Sequence, residues 1–238
     1  MKTVTYDRVN LTDGFLFEKQ ELNRKVTIDA VYDRFNETGR VGAFDFSWKE
    51  GDEKKPHIYW DSDIAKWMEG AAYILRKHPT PALEEKVDAL VAKIQANQCS
   101  DGYFNIYYTV CEPEGRFQNR DMHELYCAGH LMEAAVAYAE TTGKTDFLAC
   151  MEKYADYIAK VFAEEKSAKF FTPGHEEIEL ALVRMYRYTK KKKYLDLAAY
   201  FINQRGVDQS ENFRGVYDQS HLPVREQTEA LGHAVRAV

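Results

Sequence analysis

Helical hairpins recur along this chain at a nearly constant stride, and that recurrence limits the fold more than any single motif does. Apolar residues fall at helical spacing in three pairs of segments, 61–96, 123–162 and 175–203, each pair joined by a short turn. In the first pair, Ile64, Trp67, Met68, Ala71, Ala72 and Leu75 form a stripe behind the cap-type residues Asp61, Ser62 and Asp63. Pro79 and Pro81 close that helix and open its partner, whose apolar positions are Val87, Leu90, Val91 and Ile94. The pairs share a weak signature, an acidic residue followed by small and aromatic ones: EGAAY from Glu69, EAAVAY from Glu133 and ELALVRMY from Glu179. The fold class that follows is all-α, because each hairpin buries its apolar face only against its neighbours. An open superhelix and a closed ring of hairpins both satisfy the pattern.

The pairs start near Asp61, His123, His175 and Arg225, at intervals of 62, 52 and 50 residues. A closed ring of six such pairs needs roughly 330 residues, and 238 residues supply about three and a half pairs. The segment 225–238 reads as the opening of a fourth pair that stops mid-helix. Residues 1–238 are therefore expected to be the N-terminal portion of a larger domain. Ahead of the hairpins, 16–35 reads as a helix with an imperfect stripe through Leu22, Val26, Ile28, Val31 and Phe35. The aromatic- and glycine-containing stretch 36–60 exceeds the length of an ordinary connection.

Composition removes several classes of function. With 45% hydrophobic and 29% charged residues the chain is globular, and its net charge of −6 argues against nucleic acid as a partner. No apolar run reaches the ~18–20 residues of a membrane span, and the first twenty residues lack the apolar core of a secretory signal. A cytoplasmic location without a membrane partner is the expectation. Cys99, Cys111, Cys127 and Cys150 are dispersed without a C-x-x-C pair, so they read as small buried residues rather than a disulfide frame or a metal site. Apolar faces left open at the end of an unclosed ring would favour a homodimer.

In stacked hairpins, equivalent positions face the same way, so polar residues at the start of each first helix gather at one end. Those starts are Asp61 and Asp63; His123 and Glu124; His175, Glu176 and Glu177; and Gln227, Glu229 and His233. Three of the seven histidines fall among them. An imidazole both donates and accepts hydrogen bonds, which suits sugar hydroxyls as well as metals. His130 lies two turns deeper than His123 and reads as a satisfied core residue, while His57, His78 and His221 read as solvated. Asp61 and Asp63 read first as a helix cap. No phosphate loop, G-x-S-x-G or H-E-x-x-H motif occurs, and acidic residues are too numerous for a catalytic pair to stand out. The pattern alone gives a helical-hairpin protein with a polar, histidine-containing mouth and no complete catalytic set.

Five stretches in order, DSDIAKWMEGAAY, QCSDGYFNIYY, DMHELYCAGHLMEAAVAY, GHEEIELALVRMY and REQTEALGHAVRAV, resemble glycoside hydrolase family 127, from about Val26 onward. The resemblance implies an (α/α)6 barrel, here incomplete and broken mid-helix, with the rest of the barrel and its β-sandwich domains absent. It implies a retaining, exo-acting β-L-arabinofuranosidase whose nucleophile is a zinc-bound cysteine, with a glutamate as acid/base. Those catalytic and zinc-binding residues lie beyond this chain, and Cys99, Cys111, Cys127 and Cys150 match none of them. Zinc is thus expected in the full-length parent and not in this chain, which should be inactive alone. What carries over is substrate binding by His123, His175 and His233, with Trp60, Asp61, Asp63 and Gln227 as further pocket-lining candidates. The partners implied are L-arabinofuranosides or related plant-derived oligosaccharides. Two rivals remain open: another α/α-barrel sugar enzyme, such as an unsaturated uronyl hydrolase or an epimerase, and a non-catalytic helical-repeat scaffold.

Overall fold

The computed structural model describes residues 4–207 and 214–237, and within them every regular element is helical. Near the N-terminus, α1 (Gly14–Leu22) and α2 (Ile28–Glu37) join through a π-helical turn at Asn23–Thr27, followed by the single turn α3 (Arg40–Ala43). Three hairpins follow. They are α4 (Trp60–Lys77) with α5 (Pro81–Asn97), α7 (Glu124–Thr142) with α8 (Asp146–Ala159), and α9 (Ile178–Thr189) with α10 (Lys192–Gln204). The short α6 (Tyr107–Val110) lies in the connection between the first two, and α11 (Ala234–Ala237) ends the described chain.

The first helices of the hairpins form an inner row, α4 against α7 and α7 against α9, and their partners α5, α8 and α10 pack outside. Local sequence explains the boundaries of α4. Asp61 and Asp63 stand in its first turn and Arg76 and Lys77 in its last, each matched to the helix dipole, and Pro81 opens α5 at its first position. The central helix α7 differs in kind. It is buried on nearly all sides, and its small residues Ala128, Gly129, Ala134 and Ala135 let both neighbours approach closely. At Gly129, a Cβ would stand 2.7 Å from the Glu177 side chain and 3.0 Å from the Ile178 backbone nitrogen, so the entry to α9 fits only against a glycine. The outer faces close with Val87, Leu90 and Ile94 from α5, Met151, Tyr154 and Ile158 from α8, and Leu197 and Phe201 from α10.

Two expectations are corrected. The described part of the segment 225–238 does not form one continuous helix: a single 3-10 turn at Val224–Glu226 gives way to irregular backbone before α11. Gly232, at φ +100°, sets the chain direction there, and its Cα sits so close to the Val216 carbonyl that a Cβ would meet the oxygen at 2.1 Å. Helix α9 begins at Ile178 rather than at His175, because residues 175–177 form a turn in which the Glu179 carboxylate accepts the Glu177 N–H at 3.3 Å. Among the described residues no helix is long and apolar enough to cross a membrane.

Candidate functional site

The inner helices begin at the same end of the molecule, and the residues leading into them meet there. Tyr59 precedes α4, His123 precedes α7 and His175 stands just before α9. Their rings form a continuous row. His57 stacks on Tyr59 with centroids 5.0 Å apart, and Tyr59 meets the edge of His123 at 4.6 Å. His123 lies 6.0 Å from His175, and Tyr126 bridges them at 5.6 and 5.0 Å. His175 faces His233 at 6.4 Å, and Tyr217 closes the row 5.1 Å beyond.

A cavity of about 900 Å³ opens beside this row. His57, Tyr59, Trp60, His123, Tyr126 and His175 line one side, and Arg40, Asp63 and Lys66 contribute charge. Asp63 is held by Arg40 at 2.8 Å, and Lys66 donates to the Tyr126 hydroxyl at 2.8 Å. Such a wall, aromatic with a few convergent polar groups, is typical of small-ligand pockets.

The backbone aims His123 before the cavity does. Its φ of +62° turns the chain sharply into α7, and its Nδ1 stands 2.5 Å from the Asp121 carbonyl oxygen. A carbonyl only accepts, so Nδ1 carries the proton and Nε2 is left as an acceptor. Burial lowers the pKa of His123, with Arg236 and Arg214 as lesser causes, and takes that of His175 down to about 4, with Arg236, His123 and His233 as lesser causes. Both rings are therefore neutral near pH 7, and because the His123 N–H is already given to Asp121, that ring meets a ligand as an acceptor.

Buried polar groups hold the approaches. Next to His123, Glu124 accepts the Tyr103 hydroxyl at 2.6 Å and the Phe117 N–H at 2.7 Å, fixing the loop that delivers the histidine. Next to His175, the buried Arg205 donates to the Pro173 carbonyl at 2.7 Å and pairs with Glu176 at 2.8 Å. Arg205 also donates to the Asp218 carbonyl at 3.0 Å, and the Asp218 carboxylate takes Arg236, three residues after His233.

Not every residue singled out in the sequence reaches the cavity. Trp60 and Asp63 line it, and His233 lies one ring behind His175. Asp61 does not: it is 2% exposed and accepts the Ile106 N–H at 3.2 Å, and burial pushes its pKa up to about 7. Gln227 uses its amide on the Gln219 and Leu222 carbonyls, both at 2.7 Å, and pins its own segment. His57, Tyr59, Tyr126 and Lys66 were not foreseen. The signal for Tyr126 was present, since it lies three residues after His123 and four before His130 on one helical face. His130 is half-buried rather than a satisfied core residue, for neither of its ring nitrogens has a hydrogen-bond partner among the described residues.

A thiolate-bound zinc does not fit the cysteines of this chain. All four are free, and burial pushes the thiols of Cys111, Cys127 and Cys150 up, the opposite of what a metal-bound or nucleophilic thiolate needs. Among the described residues, the ligating side chains that converge include no cysteine.

The family model for the catalytic domain of GH127 β-L-arabinofuranosidase matches residues 8–238. The chain belongs to glycoside hydrolase family 127. It is 37% identical to the non-reducing end β-L-arabinofuranosidase of Bifidobacterium longum, a match that covers 78% of this chain and 32% of that protein. The crystal structure of Ara127N-Se, a GH127 β-L-arabinofuranosidase from Geobacillus stearothermophilus T6, is similar at a TM-score of 0.87 and 41% identity, covering 97% of this chain and 40% of its own. BT3674, a GH127 β-arabinofuranosidase, gives a TM-score of 0.86 and 33% identity, with 97% and 38% covered. This GH127 chain thus spans about a third of the curated relative it matches, and its helical hairpins are an incomplete α/α barrel.

Proposed function

We propose that the imidazole row binds the hydroxyls of a terminal L-arabinofuranose unit, and that residues 1–238 form the N-terminal portion of the barrel in a retaining β-L-arabinofuranosidase. The observation that carries this reading is the convergence of His123 and His175, distant in sequence, on the wall of the cavity, with His233 one ring behind them. The free Nε2 of His123 can accept from a ring hydroxyl, neutral His175 offers a further polar contact, and Tyr59 and Trp60 give the apolar sugar face a surface to rest on. The described relatives carry β-L-arabinofuranosidase names, which supports the same sugar.

Bond cleavage is assigned to other residues of the protein, because the raised thiols of this chain suit neither a nucleophile nor a zinc ligand. The 238-residue chain therefore binds sugar without turning it over. Two measurements test this. L-Arabinose should perturb the His123 and His175 ring resonances, and a nitrophenyl β-L-arabinofuranoside should remain uncleaved. Turnover by this chain, or unperturbed imidazoles at saturating sugar, would defeat the proposal.

A further inference from the structure

Below the imidazole row, His130, Glu133 and Glu177 bring one ligating atom each to within 4.8 Å of one another. We propose that these three side chains form a binding site for a divalent first-row transition metal, separate from the thiolate zinc of the family. His130 and Glu133 are spaced i, i+3 on α7 and so project from one face, the spacing by which helical bundles present a histidine and a carboxylate to a metal. Glu177 arrives from the entry to α9, and the close approach at Gly129 seats it there.

The chemistry of the three groups points to a ligand. Glu177 is 9% exposed, and its Oε1 has no hydrogen-bond partner among the described residues, nor do the two nitrogens of His130. Yet Nδ1 of His130 lies 3.1 Å from that Oε1. Two ligating atoms at this separation match neighbouring ligands on one ion, since bonds of about 2.1 Å place adjacent ligands roughly 3.0–3.4 Å apart. Burial takes the His130 pKa to about 3, so the imidazole is an unprotonated donor at neutral pH, and it raises Glu177 to about 8 beside Glu133. The surrounding cations compensate this pair only in part: Arg184 is divided between Glu69 at 2.5 Å and Glu133 at 3.3 Å, and Lys66 is hydrogen-bonded to Tyr126. One imidazole and two carboxylates select Zn²⁺, Mn²⁺ or Co²⁺ over softer ions. The ion would tie α7 to the backbone two residues after His175, and its binding does not depend on which sugar the cavity accepts.

The test titrates chelator-treated 238-residue protein with Co²⁺. The expected result is one ion per chain, d–d absorption without a sulfur-to-cobalt charge-transfer band, displacement by Zn²⁺, and proton release on binding near pH 7. Glu177→Gln and His130→Gln should each weaken binding at least tenfold, while Cys127→Ala leaves it unchanged. No saturable binding by the native chain, or a sulfur charge-transfer band, overturns the proposal without need of a variant. In the first case the carboxyl pair simply shares a proton. A failed L-arabinose titration with the Co²⁺ result intact would sink the sugar reading alone.

Discussion

Glu124 and Tyr103 are joined by a 2.6 Å hydrogen bond in a setting where neither side chain reaches water. The carboxylate begins α7 directly after His123, and the tyrosine belongs to the long connection from α5. The bond therefore fixes where that connection ends, and with it the backbone of the site histidine. Tyr103→Phe removes one of the two donors to a buried carboxyl and should lower stability by about 1–3 kcal/mol. Urea unfolding of the variant checks this, and a change inside experimental error would show that the bond does not anchor the loop.

Titration of the buried groups sets a pH profile with a definite sign. Asp61 and Glu124 are raised to about 7 and Glu177 to about 8, all chiefly by burial, so the folded chain binds protons that the unfolded chain has released. Their contribution is complete below the ordinary carboxyl range and is lost as pH rises through 7 to 8. His130 and His175, lowered to about 3 and 4, act oppositely: they stabilise above the ordinary imidazole value and lose this as pH falls. Between about pH 4.5 and 6.5 the two sets offset one another, and above pH 6.5 only the carboxyl loss remains. Thermal midpoints should fall from pH 6.5 to 8, and Asp61→Asn should flatten that slope.

Sugar binding should show a different pH limit. His175 stays neutral down to about pH 4, so L-arabinose binding should persist at pH 5 and fail on further acidification. His123→Ala and His175→Ala should each weaken it roughly tenfold to a hundredfold, at about 1–3 kcal/mol per lost polar contact. Calorimetric titration of both variants decides the matter. Unchanged affinity would return the helical-scaffold reading.

Asp218 predicts a local failure. It is fully buried and holds Arg236, with Arg214 at 2.8 Å. Asp218→Asn leaves Arg236 without its counter-charge, while Arg214 keeps Asp121, at about 3–5 kcal/mol. Because both arginines lie in the segment after residue 213, hydrogen exchange should accelerate there first while α4 and α7 stay protected.

Gly129→Ala tests the contact between α7 and α9. Its added methyl would press on the Glu177 side chain and the Ile178 backbone, and overpacking of this kind costs about 1–3 kcal/mol. A variant as stable as the native chain would mean that the α9 entry shifts freely.

Much of this architecture was legible because helical periodicity and proline punctuation are local signals. The stripe from Ile64 to Leu75, and Pro81 at the head of α5, place those helices within a few residues. The segment 225–238 misled for the same reason. REQTEALGHAVRAV has helical spacing, but the amide of Gln227 and the positive φ of Gly232 commit the backbone to contacts with residues 216–222, which no periodicity reveals. The site divides along the same line. Histidines at hairpin starts could be found by counting, whereas Asp61 offers the same carboxylate as Asp63 two residues away and faces inward. Only the fold decides which of the two meets the cavity.

Helix α7 is walled on both sides, by α4 and by α9. Neither flanking hairpin can leave without wetting the alanine-lined surface of the middle one, so the energetic unit is the trio rather than the hairpin. On heating, the three hairpins should be lost in a single cooperative transition instead of peeling away from one end.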